Sequence, residues 1–178
     1  KRPSIALVID ADRGAIEAID GVIGLLKCHG QVVQKKLFAE PRRTENKRWK
    51  DFMASNNVGF YAVPRDAKSS QDPNDIAIQN EVKRILDISS IQCVALFVSD
   101  KDYISLVKDI VKAGKTCIVC FHRHNPGMMR LFEKAGAQTV SLPNDDFNLY
   151  LAKIVGVLHA DGRGSIQNNT FEYMKESE

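Results

Sequence analysis

Two uninterrupted apolar runs constrain this chain more than any other feature. Ile5-Ala-Leu-Val-Ile9 and Cys93-Val-Ala-Leu-Phe-Val98 have strand length, carry β-branched residues and lack polar alternation. A strand of that kind is buried on both faces, as in the middle of a parallel sheet covered by helices on either side. Each run stops at acids: Asp10-Ala-Asp12 follows the first, and Ser99-Asp100-Lys-Asp102 follows the second.

The segments around these runs alternate between the two periodicities. Ile16, Ile19, Ile23 and Leu26 form a helical stripe in residues 15–27, with Gly30 as its stop. Gln31 to Phe38 reads as a strand. A helix beginning at Thr44 follows, with Trp49, Phe52 and Met53 on its apolar face, and then a strand over Val58 to Val63. A polar, proline-bounded loop runs from Pro64 to Pro73 and carries Arg65 and Lys68. Its length marks it as a candidate gate. A helix capped by Asn74 or Asp75 carries Ile76, Ile78, Val82, Ile85 and Leu86. After the second acidic segment come a helix ending at Gly114, a strand over Thr116 to Phe121, a helix over Met128 to Lys134, a strand over Gln138 to Leu142 and a helix over Asn144 to Leu158. This alternation predicts one α/β domain over residues 1–159, with a doubly wound, mostly parallel, Rossmann-like sheet and helices on both faces. Residues 160–178 read as a polar tail or linker.

Composition removes several classes. A chain of 178 residues holds one ordinary domain, and no 18-residue apolar run is present to cross a membrane. The four cysteines sit in or beside apolar runs, which predicts reduced core thiols and an intracellular, reducing, cytoplasmic setting rather than a disulfide framework. A nucleotide cofactor would need a Gly-rich turn after the first strand, and Asp10-Ala-Asp-Arg-Gly14 has one glycine. The net charge of +3 is uneven. Residues 1–70 carry 13 Lys and Arg against 8 Asp and Glu, while residues 71–178 carry 12 against 14. Lys35, Lys36, Arg42, Arg43, Lys47 and Arg48 concentrate that excess, a footprint suited to a phosphate backbone and equally to a solvated face without a partner. Trp49 and Tyr103 are each either a stacking platform for an unpaired base or plain core.

In an open α/β sheet, ligands bind beyond the carboxyl ends of the strands, where the strand order reverses. Acids from two such ends, with Asp75 at the start of a later helix, bring like charges together, which is costly unless a cation offsets them. All-oxygen donors suit Mg2+ or Mn2+. The competing assignment makes Asp12, Asp75 and Asp102 simple helix caps. Asp10-Ala-Asp12 also matches the first motif of haloacid-type phosphatases.

Val8-Ile-Asp10, Asn74-Asp75-Ile-Ala-Ile78 and Val98-Ser-Asp-Lys-Asp-Tyr-Ile-Ser-Leu-Val107, followed by Ala113-Gly-Lys115, resemble the NYN domain of the PIN-like nuclease superfamily over residues 4–142. The Ser-Asp-x-Asp-aromatic segment is the most specific part. The resemblance implies a PIN-like fold and a ribonuclease dependent on a divalent metal, Mg2+ or Mn2+. Carried over by position, its metal-binding and catalytic acids are Asp10, Asp75, Asp100 and Asp102. Glu81 stands where relatives often have a further acid, and Asp12 is an additional candidate. Arg13 replaces the family's usual asparagine, placing a cation beside the acids that either weakens metal binding or meets the scissile phosphate. The expected partner is single-stranded or structured RNA, bound by Arg13, Lys35, Lys36, Arg42, Arg43, Lys47, Arg48, Arg65 and Lys68. A second copy of the chain or a further domain stays open as a partner. The alternative is a catalytically degenerate NYN module that binds RNA or a protein.

Overall fold

A computed structural model describes residues 2–12, 15–64 and 72–142, together with the backbone of 165–167 and 170–172. The chain runs β1 (Ser4–Asp10), α1 (Ile16–His29), β2 (Gln31–Ala39), α2 (Lys47–Asn56), β3 (Gly59–Ala62), α3 (Pro73–Leu86), β4 (Cys93–Phe97), α4 (Ile104–Lys112), β5 (Thr116–Phe121), α5 (Pro126–Lys134) and β6 (Gln138–Ser141). Short 3-10 turns occupy Pro41–Glu45 and Lys101–Tyr103. Six strands form one sheet in the order β3-β2-β1-β4-β5-β6, and every pairing is parallel.

Strand alternation divides the core in two. Ile5, Leu7, Ile9, Cys93 and Ala95 face α1 and α2, where they meet Ile19, Val22, Leu26, Trp49 and Phe52. Ala6, Val8, Val94 and Leu96 face the other way, toward Ile78, Val82 and Ile85 of α3, Leu106, Val107 and Ile110 of α4, and Phe132 of α5. The two apolar runs are therefore the central neighbours β1 and β4, buried on both sides as their composition requires. The strand order reverses between them. The chain moves outward from β1 through β2 to β3, then returns past β1 to build β4, β5 and β6.

Local chemistry shifts several expected boundaries. Pro41 opens a 3-10 turn, so α2 begins later than expected, capped by Asn46, whose side chain accepts from the Arg48 amide. Asp72 caps α3 and Pro73 takes its first position, which leaves Asp75 out of the capping role. Asp12 does not cap α1, whose N-cap is Ala15, and Asp102 does not cap α4. The stretch after 160, expected as tail or linker, contains in its described part an antiparallel pair, β7 (Ser165–Gln167) with β8 (Thr170–Glu172). The expected helix at 144–158 lies outside the described residues.

Gly30 joins α1 to β2 with no room for a side chain. A Cβ there would sit 2.3 Å from the Pro3 carbonyl oxygen, the acceptor of the Gln31 amide. Gly30→Ala is expected to lower stability by about 1–3 kcal/mol through forced displacement of that contact, read as a lower urea midpoint.

Candidate functional site

Asp10 closes β1 at the point of strand reversal, half-buried, and its carboxylate is held from three sides. Its Oδ1 accepts from the Asp12 amide at 3.2 Å and from Asn74 Nδ2 at 3.1 Å. Its Oδ2 lies 3.3 Å from the Tyr103 hydroxyl. The same hydroxyl donates to Asp75 Oδ1 at 2.5 Å. Residues from β1, the first turn of α3 and the 3-10 turn after β4 thus meet around one phenolic oxygen. Asp100 caps that 3-10 turn, accepting from the Asp102 amide at 3.2 Å.

Burial raises the Asp10 pKa above its ordinary value, reinforced by the charges of Asp12 and Asp72, while the bonds from Asp12 and Asn74 work against the rise. Asp75 is raised too, first by burial and then by Asp72, Asp100 and Asp102, against the Tyr103 bond. Tyr103 is pushed far up by burial and by the two carboxylates, so it stays a protonated donor. Among the sequence-predicted acids, Asp10 and Asp75 are brought together, and Asp12, Asp100 and Asp102 contribute to their field. Glu81 is not part of the group. It lies six residues beyond Asp75 on α3, about 9 Å along the axis and on another face, and it pairs with Lys36 and Arg84.

The basic residues divide in the same way. Lys36 is committed to Glu81 and lies 5.1 Å from the centre of the Tyr61 ring, so it is not an open phosphate contact. Lys47 pairs with Asp51 and Arg48 with Glu17, on the surface. Lys35 is part-buried on β2, which lowers its pKa, and Arg42 is exposed. Arg43 is placed at the acidic rim. Its guanidinium stacks 4.9 Å from the Trp49 ring and donates to the Asp12 carbonyl at 3.1 Å. Trp49 and Tyr103 are buried, so neither is a platform for an unpaired base. Arg13, Arg65 and Lys68 lie outside the described residues.

Sequence reasoning named Asn74 as a helix cap and as part of the family segment, and missed its role and that of Tyr103 as partners of Asp10. Asn74 is fully buried, and its Nδ2 faces two acceptors, Asp10 Oδ1 and the Phe38 carbonyl, which sets the amide's orientation.

A family model described as the NYN domain matches residues 4–142. The chain belongs to the NYN domain family. NYN domains are PIN-like nuclease domains and typically use divalent metals. Among curated proteins there is no match. Solved structures of similar outline include an oxidoreductase from Bacillus cereus (17% identity, 78% of this chain and 34% of that one, TM-score 0.38). An NAD-binding protein from Listeria innocua shows 10% identity over 88% of this chain and 42% of that one, with a TM-score of 0.40. This NYN chain spans less than half the length of either, and likenesses this distant carry no argument about function. No described helix is long and apolar enough to cross a membrane.

The NYN site fits a hard divalent cation in kind. Its donors are oxygens, and among the described residues Asp10 and Asp75 converge on Tyr103 with no ion pair to a cationic side chain, while Asn74 Oδ1 is a buried acceptor without a hydrogen-bond partner. The set is not closed as a cage: among the described residues, no group of three or more His, Cys, Asp or Glu side chains stands ready to hold a metal.

Two outcomes are expected. Because their pKa values are raised, Asp10 and Asp75 hold protons in the fold at pH values where the unfolded chain has released them. Stability therefore falls as pH rises through the window between unfolded and folded values. In EDTA at pH 7, Asp10→Asn should unfold at a higher temperature than wild type, with the gap closing toward about pH 4. Lys36→Met should cost about 1–3 kcal/mol by stranding buried Glu81, and adding Glu81→Leu should recover much of it, as read by chemical denaturation.

Proposed function

We propose that this domain is a divalent-metal-dependent endoribonuclease that cleaves RNA phosphodiesters at the carboxyl ends of β1 and β4. The observation that carries the reading is the convergence of Asp10 and Asp75, from segments 65 residues apart, on one buried hydroxyl at the strand-reversal point. Two partly desolvated carboxylates gathered on one hydroxyl are unfavourable by themselves, and a site that selects a cation is one reason for a protein to keep them.

In this reading Asp10 and Asp75 hold the ion, with Asp100, after Asp72, a further carboxylate in the field of Asp75. A bound Mg2+ or Mn2+ supplies charge stabilisation at the phosphoryl oxygens and a water of lowered pKa. Asp102 orients the attacking water and accepts its proton. Arg43, fixed by Trp49 and the Asp12 carbonyl, presents a guanidinium to a phosphate of the bound strand. Lys35, Arg42 and the exposed pairs of Lys47 and Arg48 add attraction toward the backbone, screened by salt.

Labelled single-stranded RNA with Mn2+ tests the reading. Wild type should cleave, EDTA should abolish cleavage, and Asp10→Asn and Asp75→Asn should each lose about 100-fold or more in rate. Arg43→Ala should weaken RNA binding and reduce its salt dependence by about one phosphate contact. Equal cleavage by wild type and both aspartate variants sinks the nuclease. Salt-dependent RNA binding with no cleavage, indifferent to EDTA, identifies the degenerate module instead.

A further inference from the structure

We infer that Tyr103 is a positioning residue whose hydroxyl sets the separation of Asp10 and Asp75 and thereby the affinity of the site for a divalent cation. This rests on the metal-dependent reading above. Tyr103 is 1% exposed, and its ring packs in the core between the sheet and α3, α4 and α5. Burying a phenolic hydroxyl costs free energy unless it finds partners. Its partners here are the two carboxylates. A residue needed only for packing at this position would be phenylalanine, which fills nearly the same volume without a polar atom.

The two contacts are unequal, and the inequality matters. A phenol has one proton, shared unequally here: the 2.5 Å contact to Asp75 is its main bond, and the 3.3 Å contact to Asp10 is the weak second arm. Asp75 is thereby held at a set orientation by a charge-assisted bond. At 3.3 Å, Asp10 is kept close while its Oδ2 is only loosely engaged. Asn74 and the Asp12 amide hold Oδ1 of Asp10 from the other side. One carboxylate is therefore fixed and the other is near and available. Without the hydroxyl, two like charges in a poorly solvated setting repel, and the pair relaxes apart. The cation must then gather them, which lowers its affinity.

The experiment compares wild type, Tyr103→Phe and Asp10→Asn, each checked for native circular dichroism. Mn2+ binding is measured by calorimetric titration. In EDTA, unfolding of Tyr103→Phe, Asp75→Asn and the double variant forms a double-mutant cycle. The expected result is Mn2+ binding by wild type that is lost in Asp10→Asn, about a tenfold higher Kd in Tyr103→Phe, and non-additive stabilities in the cycle. Equal Mn2+ affinity in wild type and Tyr103→Phe, or tighter binding by Tyr103→Phe, overturns the positioning role while leaving the metal site standing. Wild type that binds no Mn2+ overturns both. Additive stabilities in the cycle overturn the contact between Tyr103 and Asp75 itself.

Discussion

The burial of β1 on both faces is the constraint on which the rest of this structure depends. Residues Ile5 to Ile9 are inaccessible to solvent, with side chains alternating between two separate cores. Such a strand must lie at the centre of a sheet, and its neighbours β2 and β4 extend the sheet from it on opposite sides. Its carboxyl end therefore falls where the two halves part, and Asp10 is the residue there. The strand's hydrophobicity and the acid's location are two consequences of one arrangement.

Once Asp10 is placed, its surroundings decide its chemistry. Among the described residues, the groups that reach it are a backbone amide, a buried asparagine amide and a phenol, all of them neutral. Two described cationic side chains of the basic stretch are engaged elsewhere. Lys36, on the strand beside β1, is turned to Glu81, and Arg43 reaches the carbonyl of Asp12 rather than a carboxylate. Among the described residues, Asp10 and Asp75 thus stay partly desolvated on neutral partners, while buried Glu81 is paired with Lys36. A folded protein tolerates that cost at a place kept for function more readily than elsewhere.

Much of the fold and part of the site were legible in the sequence. Strand and helix alternation, the two central strands and the acids at their ends follow from residue order, because periodicity and burial leave a local imprint. Boundaries were less legible. Thr44 and Asn46 are both sound caps, and the choice fell to Asn46 because Pro41 opens a separate turn first. Asp72, Asn74 and Asp75 can each cap a helix, and Pro73 decided among them. The basic stretch read as one patch, yet its members have separate commitments, since composition does not say which lysine faces a buried glutamate 45 positions away.

The sequence by itself determined the layered α/β architecture, the family and the presence of acids at the carboxyl ends of β1 and β4. These are properties of short windows, in which hydrophobic pattern and residue type suffice. Tertiary structure alone decided which acids meet. Asp10 and Asp75 come together through Tyr103, and Glu81 is removed by Lys36, because contacts between side chains far apart in sequence depend on how helices are seated on the sheet. The buried amide of Asn74 belongs to the same class: its partner is set by packing across the layers, which no local pattern encodes.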